Sequence, residues 1–259
     1  MDLGIAGRTA IVCASRSGLG RACAEALAAE GVHVVVNGRD RGRLAETAAE
    51  IRKLARGNVT EVVGDVTTDA GRAALLAACP EPDILVNNNA GPSPKPFMEI
   101  GKGDWLAAIE GNMVAALLLI HAVLPKMRER RFGRIINITS AMVTTPRPHM
   151  GLSSGARAGL TAVLKGLSFD VARDNVTINN LLPERFNTDR QVQMAKAAMK
   201  RDNISYEEAR KRQVESIAAR RLGDPREFGA ACAFLCSAFG GYISGQNLHL
   251  DGGSYPALV

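Results

Sequence analysis

The 259-residue chain is 46% hydrophobic, 22% charged and 4% aromatic, values in the globular range that exclude a disordered, collagen-like or coiled-coil polypeptide. Its 32 Lys and Arg against 26 Asp and Glu leave a net charge of +6. That charge is scattered and lacks the interleaved aromatics of a nucleic-acid surface, so a phosphorylated cofactor or an acidic small-molecule substrate accounts for it more simply. The longest unbroken apolar run, 113–120, is too short to cross a bilayer, and the first ten residues carry no visible secretory signal. No membrane partner is expected. Five cysteines (13, 23, 79, 232, 236) form no close-spaced framework. Cys232 and Cys236 stand one helical turn apart, an arrangement of buried thiols rather than a metal half-site, so no metal is expected. A reducing cytoplasm fits these features.

In chain order, β-branched runs at 9–14, 32–37, 59–64, 84–88, 134–139, 177–181 and 246–250 alternate with amphipathic stretches at 20–30, 41–56, 70–78, 103–130, 154–173 and 225–237. Seven strands in this alternation predict a Rossmann-type, doubly wound α/β domain over 1–259, with a seven-stranded parallel sheet and helices on both faces. Residues 184–221 have no strand pattern and are helical by composition. Between 184 and 226, eleven Lys and Arg face seven Asp and Glu. Inserted late between two strands, this segment is expected to form a helical lid over a site.

Ligands of such sheets bind beyond the carboxyl ends of the strands. There the first strand runs into Cys13-Ala14-Ser15-Arg16-Ser17-Gly18-Leu19-Gly20, and a helix follows at once. Glycines at this turn let backbone N–H groups approach a pyrophosphate at the positive helix end. The second strand ends in Asn37-Gly38-Arg39-Asp40. An NAD-binding chain usually places a carboxylate there for the ribose 2′-hydroxyl. Here that place holds Gly38, with Arg39 beside it, and a guanidinium suits a 2′-phosphate. NADP(H) is therefore expected over NAD(H).

The turn is similar to the Thr-Gly-x-x-x-Gly-x-Gly segment of the short-chain dehydrogenases/reductases, with Cys13 and Ala14 in its first two places. The resemblance runs through essentially the whole chain. Asp65-Val66 matches the pair that holds the adenine. Asn88-Asn89-Ala90-Gly91 matches the family's Asn-Asn-Ala-Gly, although Asn87 precedes it and leaves the register open. Pro183 and Thr188 match a Pro-Gly-x-x-x-Thr segment in which Glu184 replaces the Gly, and Asp251-Gly252-Gly253 closes the chain as in the family. The resemblance implies hydride transfer between nicotinamide and a carbonyl or alcohol, on a 3-oxoacyl-thioester-like substrate or another ketone. It also implies catalytic roles for Asn112 and Ser140, and pairing of the helix 103–130 across a two-fold axis into a dimer or tetramer.

At the chemistry the chain departs from the family. The Tyr-x-x-x-Lys pair that supplies the proton is replaced, thirteen residues beyond Ser140, by Ser153 and Arg157. A phenol starts near pKa 10 and an alkyl hydroxyl several units higher, so Arg157 cannot make Ser153 a proton donor at neutral pH. The serine oxygen also ends roughly 4 Å short of a phenol oxygen. Loss of Ser153 is therefore expected to matter little, while Arg157 binds the nicotinamide ribose. His149, four residues before Ser153, is the candidate substitute acid, against its reading as an ordinary loop histidine. Tyr206, in the lid segment, is a weaker one. The rival reading is a catalytically inactive NADP-binding sensor or partner subunit, and a lyase on the same scaffold is less favoured. The basic run 126–131 fits a docking site for an acidic carrier, or a helix end complementing its dipole.

Overall fold

The computed structural model describes residues 2–258. Seven strands form one parallel sheet in the order β3-β2-β1-β4-β5-β6-β7. They are β1 (Thr9–Val12), β2 (His33–Gly38), β3 (Val59–Val63), β4 (Ile84–Asn87), β5 (Gly133–Ile138), β6 (Val176–Pro183) and β7 (Asn247–Leu250). Every residue of β4 and β5 is buried, as expected of parallel strands covered on both faces.

Alternate residues of each strand serve opposite layers. On one face Val12, Val34, Val36, Val86 and Ile136 pack under α1 (Gly18–Ala29), α2 (Arg41–Leu54) and α9 (Pro225–Cys236) through Leu27, Leu44, Ile51 and Phe228. On the other, Ile11, Val35, Leu85, Ile135 and Ile178 pack under α3 (Asp69–Ala78), α5 (Ala115–Glu129) and α6 (Gly151–Val171) through Leu75, Leu119, Ile120, Val123 and Leu160. The sheet order reverses between β1 and β4, which opens a crevice at their carboxyl ends.

One helix differs from the sequence expectation. The helix expected at 103–130 is α4 (Lys102–Ile109) joined to α5 by a single π-helical turn, Glu110–Val114. By length and composition 102–129 is apolar enough to cross a membrane. In this fold Leu119, Ile120, Val123 and Met127 of that helix are buried against the sheet, while Leu106 and Leu118 stay exposed. The segment 184–221 holds two helices, α7 (Asp189–Asp202) and α8 (Tyr206–Glu215), and one parallel bridge, Phe186 to Gly223, ties its ends together.

Candidate active site

The turn after β1 is held by asparagine side chains from the ends of two strands, β2 and β4. Asn37 at the end of β2 accepts from the Ala14 backbone N–H (3.1 Å) and donates to the carbonyls of Val62 (3.1 Å) and Gly64 (3.0 Å). Asn88, just past β4, donates to the Ala14 carbonyl (3.2 Å). Ala14 is thereby held at φ +44°, the left-handed region that a glycine occupies without cost. Gly20 permits the closest approach: a Cβ there would lie 2.7 Å from the Ala14 carbonyl oxygen and 2.6 Å from Asn88 Nδ2. Ser17 caps α1 without a side-chain hydrogen bond, leaving the first N–H groups of the helix to face the crevice.

That crevice is a cleft of about 560 Å³. Among its lining residues are Ala14, Arg16, Ser17, Gly18, Leu19, Arg39, Asp65, Val66, Asn88, Asn89, Ala90, Gly91, Arg157, Pro183 and Thr188. Ser15 and Gly20 lie behind this wall. Ser15 is fully buried, its hydroxyl donating to the Val12 carbonyl (2.7 Å) and accepting from the Asn37 N–H (2.9 Å). At one end stand three guanidinium groups, Arg16, Arg39 and Arg43. Arg39 is mostly exposed and pairs loosely with Asp65 at 3.4 Å. The Asp65 carboxyl is held below its ordinary range chiefly by the Thr67 backbone N–H, with the Thr67 hydroxyl and Arg39 adding against a burial penalty. Arg43 was not among the residues expected from sequence. Its signal is its place in the first turn of α2, which opens with Asp40 as N-cap.

At the other end, Ser140 follows β5, and its Oγ accepts from the Met142 N–H (3.2 Å). Ser153 and Arg157 lie one turn apart at the start of α6, and an Arg157 Nη1–H donates to Ser153 Oγ. Arg157 packs over Gly91, where a Cβ would come within 3.0 Å of Nη1. Burial, with Arg190 adding, pulls its pKa down to about 10, so the guanidinium stays charged at neutral pH. Behind it a cavity of about 30 Å³, roomy enough for a water, is lined by Asn87, Asn112, Asn137 and Arg157. Asn112 sits in the π-helical turn, and its side-chain amide donates to the Ala108 carbonyl at 3.4 Å. The three consecutive asparagines divide the work. Asn87 pairs with Asn137 inside the sheet (3.0 Å), Asn88 holds the Ala14 turn, and Asn89 donates to the Gly111 carbonyl of the π turn (2.9 Å).

The remaining candidates fall elsewhere. His149 is exposed at φ +65° and does not line the cleft, although Arg147 and Met150 on either side of it do. None of Tyr206, Tyr242 and Tyr255 is among the lining residues. The cleft gains instead a charged group that the sequence pattern marked only by the loss of a glycine. Glu184 Oε1 lies 3.2 Å from Arg147 Nη2 and 3.4 Å from Arg185 Nε. Arg190, at the start of α7, donates to the Pro92 carbonyl (3.2 Å) across the cleft.

Residues 13–255 match a family model described as enoyl-(acyl carrier protein) reductase. The NADPH-dependent reductase BacG of Bacillus subtilis is 31% identical over 97% of this chain and 99% of its own. The 3-oxoacyl-(acyl-carrier-protein) reductase of Vibrio harveyi is 30% identical over 98% and 99%. The L-sorbose reductase of Gluconobacter frateurii, solved with NADPH and L-sorbose, superposes with a TM-score of 0.93 at 30% identity over the whole of both chains. With the parallel sheet, the β1–α1 cradle and the cleft beyond the strand ends, these matches establish that the chain belongs to the short-chain dehydrogenase/reductase family of oxidoreductases.

Proposed function

We propose that the protein is an NADP(H)-dependent reductase of a carbonyl compound, with a 3-oxoacyl-thioester-like compound or another ketone as the substrate class. The observation that carries this reading is the cleft's polarity. A glycine-lined cradle with an uncapped helix N-terminus lies midway, three arginines stand at the ribose end, and Ser140, Ser153 and Arg157 meet at the other. The cradle fits a pyrophosphate, because at Gly20 any Cβ would fill the space the turn needs. Arg16, Arg39 and Arg43 would hold the 2′-phosphate, Asp65 and Val66 the adenine end, and Asn89, Arg157 and Thr188 the nicotinamide half. Bound there, NADPH supplies a hydride. The NADPH named with the bacterial reductase and the sorbose reductase supports this choice.

The chain's own residues then bind and orient. Ser140 and Ser153 offer hydroxyl hydrogen bonds to the substrate oxygen, and Arg157 supplies fixed positive charge behind Ser153. Helices α7 and α8 act as a lid, and Arg147, Glu184 and Arg185 close one side of the substrate end. The exposed apolar residues of the α4–α5 helix pair with a second copy, giving a dimer or tetramer. The test is NADPH consumption, followed by absorbance, over a panel of ketones and oxoacyl thioesters. NADPH binding without turnover of any of them would favour the second reading, a dinucleotide-binding partner subunit, for which the replacement of the Tyr and Lys pair speaks.

A further inference from the structure

We propose that Arg147 and Arg185 form a carboxylate subsite at the substrate end of the cleft, which makes the substrate an oxo acid, a ketone that carries a free carboxylate. The inference rests on the reductase reading above and names the substrate class within it.

The substrate end holds more positive charge than its own carboxylates balance. Four guanidinium groups line it, Arg147, Arg157, Arg185 and Arg190, against Glu184 and Asp189. They arrive from separate segments: Arg147 from the loop between Ser140 and α6, Arg157 from α6, Arg185 from just past β6, and Arg190 from the start of α7. Such convergence is not the solvated face of a single helix. The like charges also feel one another. Burial is the larger cause of the lowered pKa at both Arg157 and Arg185, and the neighbouring Arg190 and Arg147, respectively, lower it further. An anion bound among these groups relieves that repulsion.

Arg185 shows the demand most sharply. Its side chain is only 18% exposed, and its Nε is buried with no hydrogen-bond partner among the described residues. Glu184 Oε1, at 3.4 Å, offsets charge there without completing a hydrogen bond to that N–H. A guanidinium taken out of water with a donor unspent is costly unless a further anion shares it. Glu184 offers one buried carboxylate to Arg147 and Arg185 together, so the three groups keep a single positive charge. A monoanion matches that surplus, and a phosphate dianion exceeds it. Arg147 lines the cleft with its side chain 40% exposed, which leaves it open to a ligand, and a planar guanidinium fits a carboxylate through paired N–H bonds.

The two ends of the substrate then have separate partners. Ser140 and Ser153 take the ketone oxygen and the two arginines take the carboxylate, and two fixed points orient the ketone carbon towards the dinucleotide. That carbon gains the hydride supplied by reduced nicotinamide, its oxygen takes a proton from water, and the carboxylate passes unchanged into a hydroxy acid.

The test compares pyruvate, acetoacetate and levulinate, each with its methyl ester, by NADPH consumption and by calorimetric titration of the full chain with and without NADP⁺. For the acid reduced best, kcat/KM should exceed that of its ester by about tenfold or more, the size of a charge-assisted contact. Arg185→Gln should bring this ratio to within about twofold of unity, with the NADPH dissociation constant changed by less than about twofold. Arg147→Gln, at the more exposed partner, should lower the ratio about threefold or more and decides the matter if Arg185→Gln does not fold. An ester reduced as well as its acid, or the neutral dihydroxyacetone reduced faster than every acid, would overturn the proposal while leaving the carbonyl-reductase reading intact. A ratio that survives both substitutions would assign the preference to general positive charge, and a loss of NADPH affinity in Arg185→Gln would give that arginine to the cofactor; either overturns the proposal. If none of these compounds consumes NADPH, the reductase reading fails and calorimetry still decides the subsite. Acid binding that is lost in Arg185→Gln supports it, and an absence of acid binding overturns it.

Discussion

Replacement of Arg39 by alanine tests the cofactor reading at its most exposed point. A guanidinium–phosphate contact in a shielded site is worth roughly 1.5–3 kcal/mol. The Arg39 side chain is 75% exposed and must give up its 3.4 Å pair with Asp65, so solvent screening reduces its share to about 1 kcal/mol. Arg43 is similarly exposed, at 69%, and adds about as much. Two such contacts sum to about 2 kcal/mol, hence NADPH should bind about thirtyfold more tightly than NADH. Arg39→Ala alone should remove about fivefold of this preference, and Arg39→Ala with Arg43→Ala most of it. NADH affinity should stay within about twofold throughout, since neither arginine meets an uncharged 2′-hydroxyl at full strength. Nucleotide fluorescence titrations at two salt concentrations provide the assay, and the preference should narrow as salt rises. Equal affinities in the unaltered protein would refute the reasoning. A parallel loss of NADH affinity in Arg39→Ala would also refute it, because the arginine would then serve the shared part of the dinucleotide.

The sheet was legible because buried parallel strands leave dense β-branched runs, and their alternation with Ala/Leu-rich helices leaves few topologies open. Val34-Val35-Val36 and Ile135-Ile136 have no alternative use. The π turn at 110–114 was not legible, since Glu110-Gly111-Asn112 carries the same apolar flanks as an ordinary helix. In the structure Asn89 donates to the Gly111 carbonyl inside that turn, a contact the sequence does not announce. The asparagine register was undecidable from sequence for a related reason. Three identical side chains differ only in which strand end, turn or helix each one faces. The expectation that Ser153 and Arg157 stand in the places of the family's Tyr and Lys came from their spacing beyond Ser140. What sequence withheld was their contact, in which an Arg157 Nη1–H donates to Ser153 Oγ. His149 showed the limit of proximity in sequence: two residues from a cleft-lining arginine, it faces solvent because the backbone turns through a left-handed conformation there.

Gly20→Ala should weaken dinucleotide binding by about tenfold or more and lower the melting temperature, because its Cβ would meet the Ala14 carbonyl at 2.7 Å and backbone cannot step aside cheaply. Asp224, N-cap of α9, is held at a pKa of about 2 by the Arg226 side chain and backbone N–H, and Glu227 is held at about 2 by Arg221. Depressed folded-state values mean that their stabilisation is full above the ordinary carboxylate range and is lost as pH falls from about 4 towards 2. Asp224→Asn should therefore lower the melting temperature at pH 7 and make little difference at pH 2; a constant gap would refute the link. Light scattering at micromolar concentration should give a dimer or tetramer, and a monomer mass would leave the exposed Leu106 and Leu118 without the partner proposed for them. The last expectation concerns the altered pair. Ser153→Tyr with Arg157→Lys should raise reduction of a permissive saturated ketone, since positioned acid catalysis contributes typically about 10²–10⁴-fold and no tyrosine or histidine lines the unaltered cleft. If ketone reduction stays flat while the variant folds and binds NADPH, the missing acid is not what limits this site, and the chemistry assigned to Ser153 and Arg157 would have to be redrawn.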